Sequence, residues 1–101
     1  MNWDKFYIIT LDKGGLLDSF DSKKFHKQLT SAKGIKAWWH YLESTYIIKV
    51  EFGVTAHNIA EYIQKIAPKK KFFASEINFN NYNGWLTQEA WDWIKKHKNG
   101  Y

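Results

Sequence analysis

The sequence contains no cysteine, no arginine and a single proline among its 101 residues. Without cysteine there is no disulfide framework, no thiolate metal site and no cysteine nucleophile. No apolar run approaches the ~18 residues of a membrane-spanning helix. The opening Met1-Asn2-Trp3-Asp4-Lys5 lacks the basic-then-apolar design of a signal peptide, so the chain reads as a soluble, cytoplasmic protein without a membrane partner. The missing arginine bears on recognition, because all 15 basic residues are lysine. A planar guanidinium reads phosphate and guanine bidentately, whereas lysine is a mobile point charge, so specific base reading is disfavoured. There is no GxxxxGK[ST] or GxGxxG loop, which removes P-loop nucleotide hydrolysis and dinucleotide binding. His26, His57 and His97 fall on separate predicted helices, and no His-x₃-His pair supplies a zinc site.

What the chain does have is apolar material: 45% hydrophobic and 19% aromatic residues, ample for a core. One domain over residues 1–101 accounts for the length. The net charge of +5 permits attraction to phosphate.

Hydrophobic alternation and turn residues divide the sequence. Phe6 to Asp12 reads as a strand, with Tyr7, Ile9 and Leu11 on one face, Phe6, Ile8 and Thr10 on the other, and Gly14-Gly15 as its stop. Asp21 reads as the N-cap of a lysine-rich helix that ends near Gly34, with Phe20 and Phe25 as a hydrophobic staple and Phe25, Leu29 and Ala32 as its buried stripe. Ile35 to Tyr41 and Thr45 to Phe52 form a hairpin across Leu42-Glu43-Ser44. Thr55 caps the clearest helix, in which Ile59, Tyr62, Ile63 and Ile66 follow helical spacing until Pro68. After Lys69-Lys70-Lys71, Phe72 to Phe79 is a strand. Thr87 opens a last helix whose terminal Lys95, Lys96 and Lys98 complement its dipole, with Gly100 placed to stop it.

The order β-α-β-β-α-β plus a C-terminal helix predicts an α+β, ferredoxin-like domain: a four-stranded antiparallel sheet, two helices on one face, first and third strands central. Two helices cover only one face. Ile8 and Ile48, with one of Trp38 and Trp39, are expected on the other, to be buried by the tryptophan-rich C-terminal helix, a second copy, or both; a homodimer is the favoured expectation.

Three groups of residues are candidates for chemistry. Asp12, at the end of the first strand, is placed to bind Mg²⁺, and two such carboxylates across a symmetry axis would activate water for phosphodiester hydrolysis. Asp before Gly-Gly is equally a turn former. Lys69, Lys70 and Lys71 are a candidate phosphate contact or a solvated loop. His40, Glu43 and Ser44 hold the residue types of a nucleophilic triad, but a hairpin tip rarely converges them, and His40 reads as a hydrogen-bonded structural histidine. Trp38, Trp39, Tyr41, Trp85, Trp91 and Trp93 suit base stacking in principle, although burial in a core or dimer interface explains them and no RNP signature is present.

The stretch Trp39-His40-Tyr41-Leu42-Glu43-Ser44-Thr45, followed by a hydrophobic strand to Ile48, resembles small bacterial proteins labelled SinR-like. The likeness runs from Tyr7-Ile8-Ile9-Thr10-Leu11-Asp12 to Gly84-Trp85-Leu86 and Glu89-Ala90-Trp91. More distantly the layout is similar to the CRISPR-associated adaptation proteins and the virulence-associated protein D ribonucleases. That resemblance implies a ferredoxin-like homodimer with a first-strand acid, here Asp12, near the two-fold axis, implicated in metal-dependent cleavage of RNA or DNA. The alternative expectation is a non-catalytic interaction or dimerisation module with a tryptophan-rich surface.

Overall fold

A computed structural model describes residues 4–14 and 20–98. Four strands and three helices follow in the order β1 (Lys5–Leu11), α1 (Ser22–Thr30), β2 (Ile35–Leu42), β3 (Thr45–Val50), α2 (Ala56–Ile66), β4 (Phe72–Ile77) and α3 (Gln88–Lys98). The fold is α+β, with one antiparallel sheet in the order β2-β3-β1-β4 and the expected central pair β1 and β3.

The helix starts arise locally. The Asp21 carboxylate accepts the Lys24 amide N–H at 3.0 Å, satisfying a donor the first turn cannot pair, and Phe20 packs on Phe25 with ring centroids 5.3 Å apart. At α2, Thr55 and Asn58 form a reciprocal capping box: the Thr55 hydroxyl accepts from the Asn58 amide, and the Asn58 side chain accepts from the Thr55 amide. Strand boundaries move by one or two residues, and the end of α1 by about four. β2 runs on to Leu42, which pairs with Thr45 and shortens the hairpin turn to Glu43-Ser44. β3 ends at Val50 rather than Phe52, and β4 at Ile77 rather than Phe79. α1 ends at Thr30, so Ala32 lies beyond it, and Gly34 takes φ +93° in the link to β2, where a Cβ would meet Val54 at 3.2 Å. Gly15 and Gly100, expected as stops, lie outside the described residues.

Each sheet face has its own core. On one, Tyr7, Ile9, Tyr46, Ile48 and Val50 pack under Phe25 and Leu29 of α1 and Ile59 and Ile63 of α2. On the other, Phe6, Trp39 and Ile47 pack under Ala90 and Ile94 of α3, with Ile8, Trp91 and Trp93 at the margin. Ile48 is therefore on the face opposite to the one expected. Cross-strand partners share a face, and the register pairs Ile48 with Tyr7 and Ile47 with Ile8, so Ile47 is the residue that joins Ile8. The Trp39 indole N–H donates to the Ala90 carbonyl at 3.1 Å and fixes α3 on the sheet.

α3, one of the two expected covers of this face, buries Phe6, Trp39 and Ile47. Burial of the tryptophans is also only partial. Trp39 is buried, whereas Trp85 is fully exposed, at 100%, and Trp38 and Tyr41 are exposed. Tyr41, in ring contact with Trp39, and Phe73, paired with Thr10, mark the end of the second face that α3 leaves open. No described helix is long and apolar enough to cross a membrane.

Candidate nucleic-acid interface

Antiparallel pairing gathers four chain segments at one end of the sheet: the end of β1, the start of α1, the β2–β3 turn, and the α2–β4 connection. The Leu11 amide donates to the Ser44 carbonyl at 2.8 Å, and the Asp12 amide to the Lys71 carbonyl at 2.9 Å. Asp12 and the Lys69–Lys71 run, 57 to 59 positions apart in sequence, thereby line one cleft of about 550 Å³, with Phe20, Asp21 and Lys24 on its α1 side. The cleft is net basic, with Lys24, Lys69, Lys70 and Lys71 against Asp12 and Asp21. Asp12 is exposed, and its carboxylate accepts no hydrogen bond among the described residues. Among the described residues, then, no turn hydrogen bond engages it. The Lys70 ammonium lies 4.5 Å from the Phe20 ring centroid, a cation–π contact that holds the charge at the cleft wall.

A second cleft of about 410 Å³ continues from the first, sharing Asp12, Gly14, Phe20 and Lys70 and adding Lys13, His40, Glu43 and Ser44. Lys13 and Glu43 form an ion pair at 3.8 Å on the exposed rim, an interaction of little energetic weight. His40, Glu43 and Ser44 are neighbours here, but no hydrogen bond links them into a triad: the His40 ring is held instead by Thr45, whose carbonyl accepts from Nδ1 at 3.0 Å. The structural reading of His40 holds in that respect.

Sequence reasoning missed His26. It lies on α1, 14 positions from His40, yet the two rings are 5.9 Å apart, because α1 crosses the edge of the sheet at β2. Tyr46 joins them: its hydroxyl is 2.7 Å from His26 Nδ1, and its ring stacks flat on His40, centroids 3.9 Å apart and planes 1° from parallel. Burial pushes the Tyr46 phenol up to about 12, so it stays protonated beside the two imidazoles. The only local signal for this meeting was the period-two placement of His40 and Trp38 on one face of β2; Trp38 is the residue against which His26 packs edge-on. Among the described residues no three His, Asp or Glu side chains cluster as a metal-binding group.

No protein-family model, curated protein or solved structure matches the chain.

Proposed function

We propose that the chain is a nucleic-acid-associated protein of ferredoxin-like, split βαβ topology that acts as a homodimer, akin to the SinR-like and CRISPR-associated families its sequence resembles, with metal-dependent cleavage through Asp12. One observation carries this reading: the exposed Asp12 carboxylate and the Lys69–Lys71 run share a single open, basic cleft. Phosphodiester chains bind by charge in such clefts, and an acid at a strand end inside one faces the phosphates that lysines collect. Mg²⁺ fits the residues present in a limited way. It is commonly held by one or two carboxylates with waters and substrate phosphate completing its shell. Asp12 alone would hold it together with a bound phosphate, or with Asp12 of a second copy. Bound there, the ion would supply Lewis-acid stabilisation of the phosphate.

The test has two arms. RNA and duplex DNA titrated at two salt concentrations should bind with a steep salt dependence, and replacing Lys69, Lys70 and Lys71 with Gln should reduce the slope of log K against log salt by ~0.9 for each duplex phosphate that lysine no longer neutralises. Asp12→Asn should abolish Mg²⁺-dependent cleavage while leaving the melting temperature unchanged, because its side chain is exposed and accepts no hydrogen bond among the described residues. An unchanged slope removes the lysine run, and cleavage that survives Asp12→Asn removes the metal assignment.

A second reading, a non-catalytic interaction module, is favoured by the fully exposed Trp85 and by Phe73, 65% exposed. Aromatic side chains are enriched at protein interfaces. It predicts a protein partner whose binding Trp85→Ser weakens without any change in nucleic-acid affinity.

A further inference from the structure

We infer that His40 is the general base of this site and that the substrate is RNA, cleaved by attack of its own 2′-hydroxyl. The inference rests on the nucleic-acid reading of the cleft. Three observations carry it. First, a carbonyl oxygen can only accept, so the 3.0 Å contact of His40 Nδ1 with Thr45 makes Nδ1 the donor. The neutral ring then carries its lone pair on Nε2, which has no hydrogen-bond partner among the described residues. Second, the ring cannot swing away: it is clamped flat against Tyr46, which is itself buried and bonded to His26. Third, His40 lines the same cleft as Asp12, Lys13 and Lys70, so the imidazole shares that cleft with two ammonium groups whose charge attracts phosphate. The bond that makes His40 structural is also the one that gives it the tautomer of a base.

The chemistry selects the substrate. In the step proposed, His40 Nε2 takes the proton of a ribose 2′-hydroxyl while the 2′-oxygen forms a bond to the adjacent phosphorus. The bond from phosphorus to the 5′-oxygen breaks, and that oxygen takes a proton from a water of the open cleft. The resulting hydroxide recovers the proton from the His40 imidazolium, leaving a 2′,3′-cyclic phosphate and a 5′-hydroxyl. DNA has no 2′-hydroxyl and is not a substrate for this step. The charged and titratable groups around the ring are Lys13 and Asp12 from the end of β1, Lys23 and His26 from α1, Glu43 from the turn, Tyr46 from β3, and Lys70 from the α2–β4 connection.

The product ends decide the matter. Short RNA incubated with the full chain and Mg²⁺ should yield 2′,3′-cyclic phosphate ends, and a single 2′-deoxy substitution should block cleavage at that linkage. His40→Asn keeps a side-chain N–H for the Thr45 carbonyl and deletes Nε2, so it should lower the rate by ~100-fold or more, with RNA affinity unchanged. Nitrogen NMR of the wild type reads the tautomer independently of any variant, and in the neutral ring Nε2 should be the nitrogen without a proton. The inference is overturned by a bare Nδ1, by 3′-hydroxyl and 5′-phosphate ends, or by bound RNA that stays intact. Of these, water-derived ends lost in Asp12→Asn leave the Asp12 reading standing, and failure to bind RNA at all ends both.

Discussion

Tyr46 shows how one side chain organises the site. Its ring contributes to the core beneath α1 and α2, while its hydroxyl and face hold two histidines. A phenol buried this way gives up its proton reluctantly, near 12 rather than the usual 10.0. In the unfolded chain it ionises near the usual value, so the unfolded state binds fewer protons between those limits, and stability should fall as pH rises above about 10. Tyr46→Phe should lessen that alkaline loss and remove an ionisation near pH 12 from the tyrosinate absorbance titration. At neutral pH the same substitution should cost about 1 kcal/mol in denaturant unfolding, because His26 loses a hydrogen-bond partner. An alkaline stability profile that is the same in Tyr46→Phe would show that the phenol is not the group responsible.

At the scale of elements, α3 is the piece that turns a two-layer arrangement into a three-layer one. Its Ala90 lets the backbone approach Trp39, and Ile94 fills the space beside Ile47. Near its end His97 packs on Trp93, ring centroids 4.4 Å apart, and its Nδ1 is buried without a hydrogen-bond partner among the described residues. Burial, with the nearby charges of Lys49 and Lys96, holds this imidazole below its usual 6.5. The folded state therefore prefers the neutral ring, and the unfolded chain takes up a proton first as pH falls through about 6.5. Stability carried by α3 should accordingly be fully present above that pH and diminish below it. Thermal melts at pH 7.5 and 5.5 check this: the wild type should lose more stability on acidification than His97→Leu. Equal losses in the two proteins would place the acid sensitivity elsewhere.

For the whole molecule, the second sheet face is divided. α3 covers the end that holds Phe6 and Ile47, and leaves Tyr41 and Phe73 exposed at the end that carries Asp12. If the proposed homodimer forms, this is the apolar surface that the chain's own helices do not use, and pairing there would bring two Asp12-bearing ends toward each other. Sedimentation equilibrium at micromolar concentration should give a dimer that Phe73→Glu dissociates without unfolding. A monomeric wild type would leave the cleft to function within one chain, where a single Asp12 carboxylate has only substrate phosphate to share a metal with.

Local chemistry in the sequence was enough to set much of the fold. The Asp21 and Thr55 caps, the Phe20–Phe25 staple and the two faces of β1 follow from spacing, because caps act within four residues and a strand alternates every two, while the central position of β1 and β3 follows from the order of the elements. Asp12 and Lys69–Lys71 were legible as separate candidates for the same reason. What spacing does not carry is which distant partner a residue meets. Alternation along β3 sets Thr45, Ile47 and Lys49 against Tyr46, Ile48 and Val50, but which of those faces lies under α1 and α2 is decided by the pairing of Tyr7 with Ile48. Joining Asp12 to Lys71 required β1 and β4 to pair across most of the chain, and His26 reached His40 only once α1 had packed on the sheet. The cleft is thus a product of tertiary structure: burial drives the elements together without regard to sequence distance, and the polar residues at their ends are carried along with them.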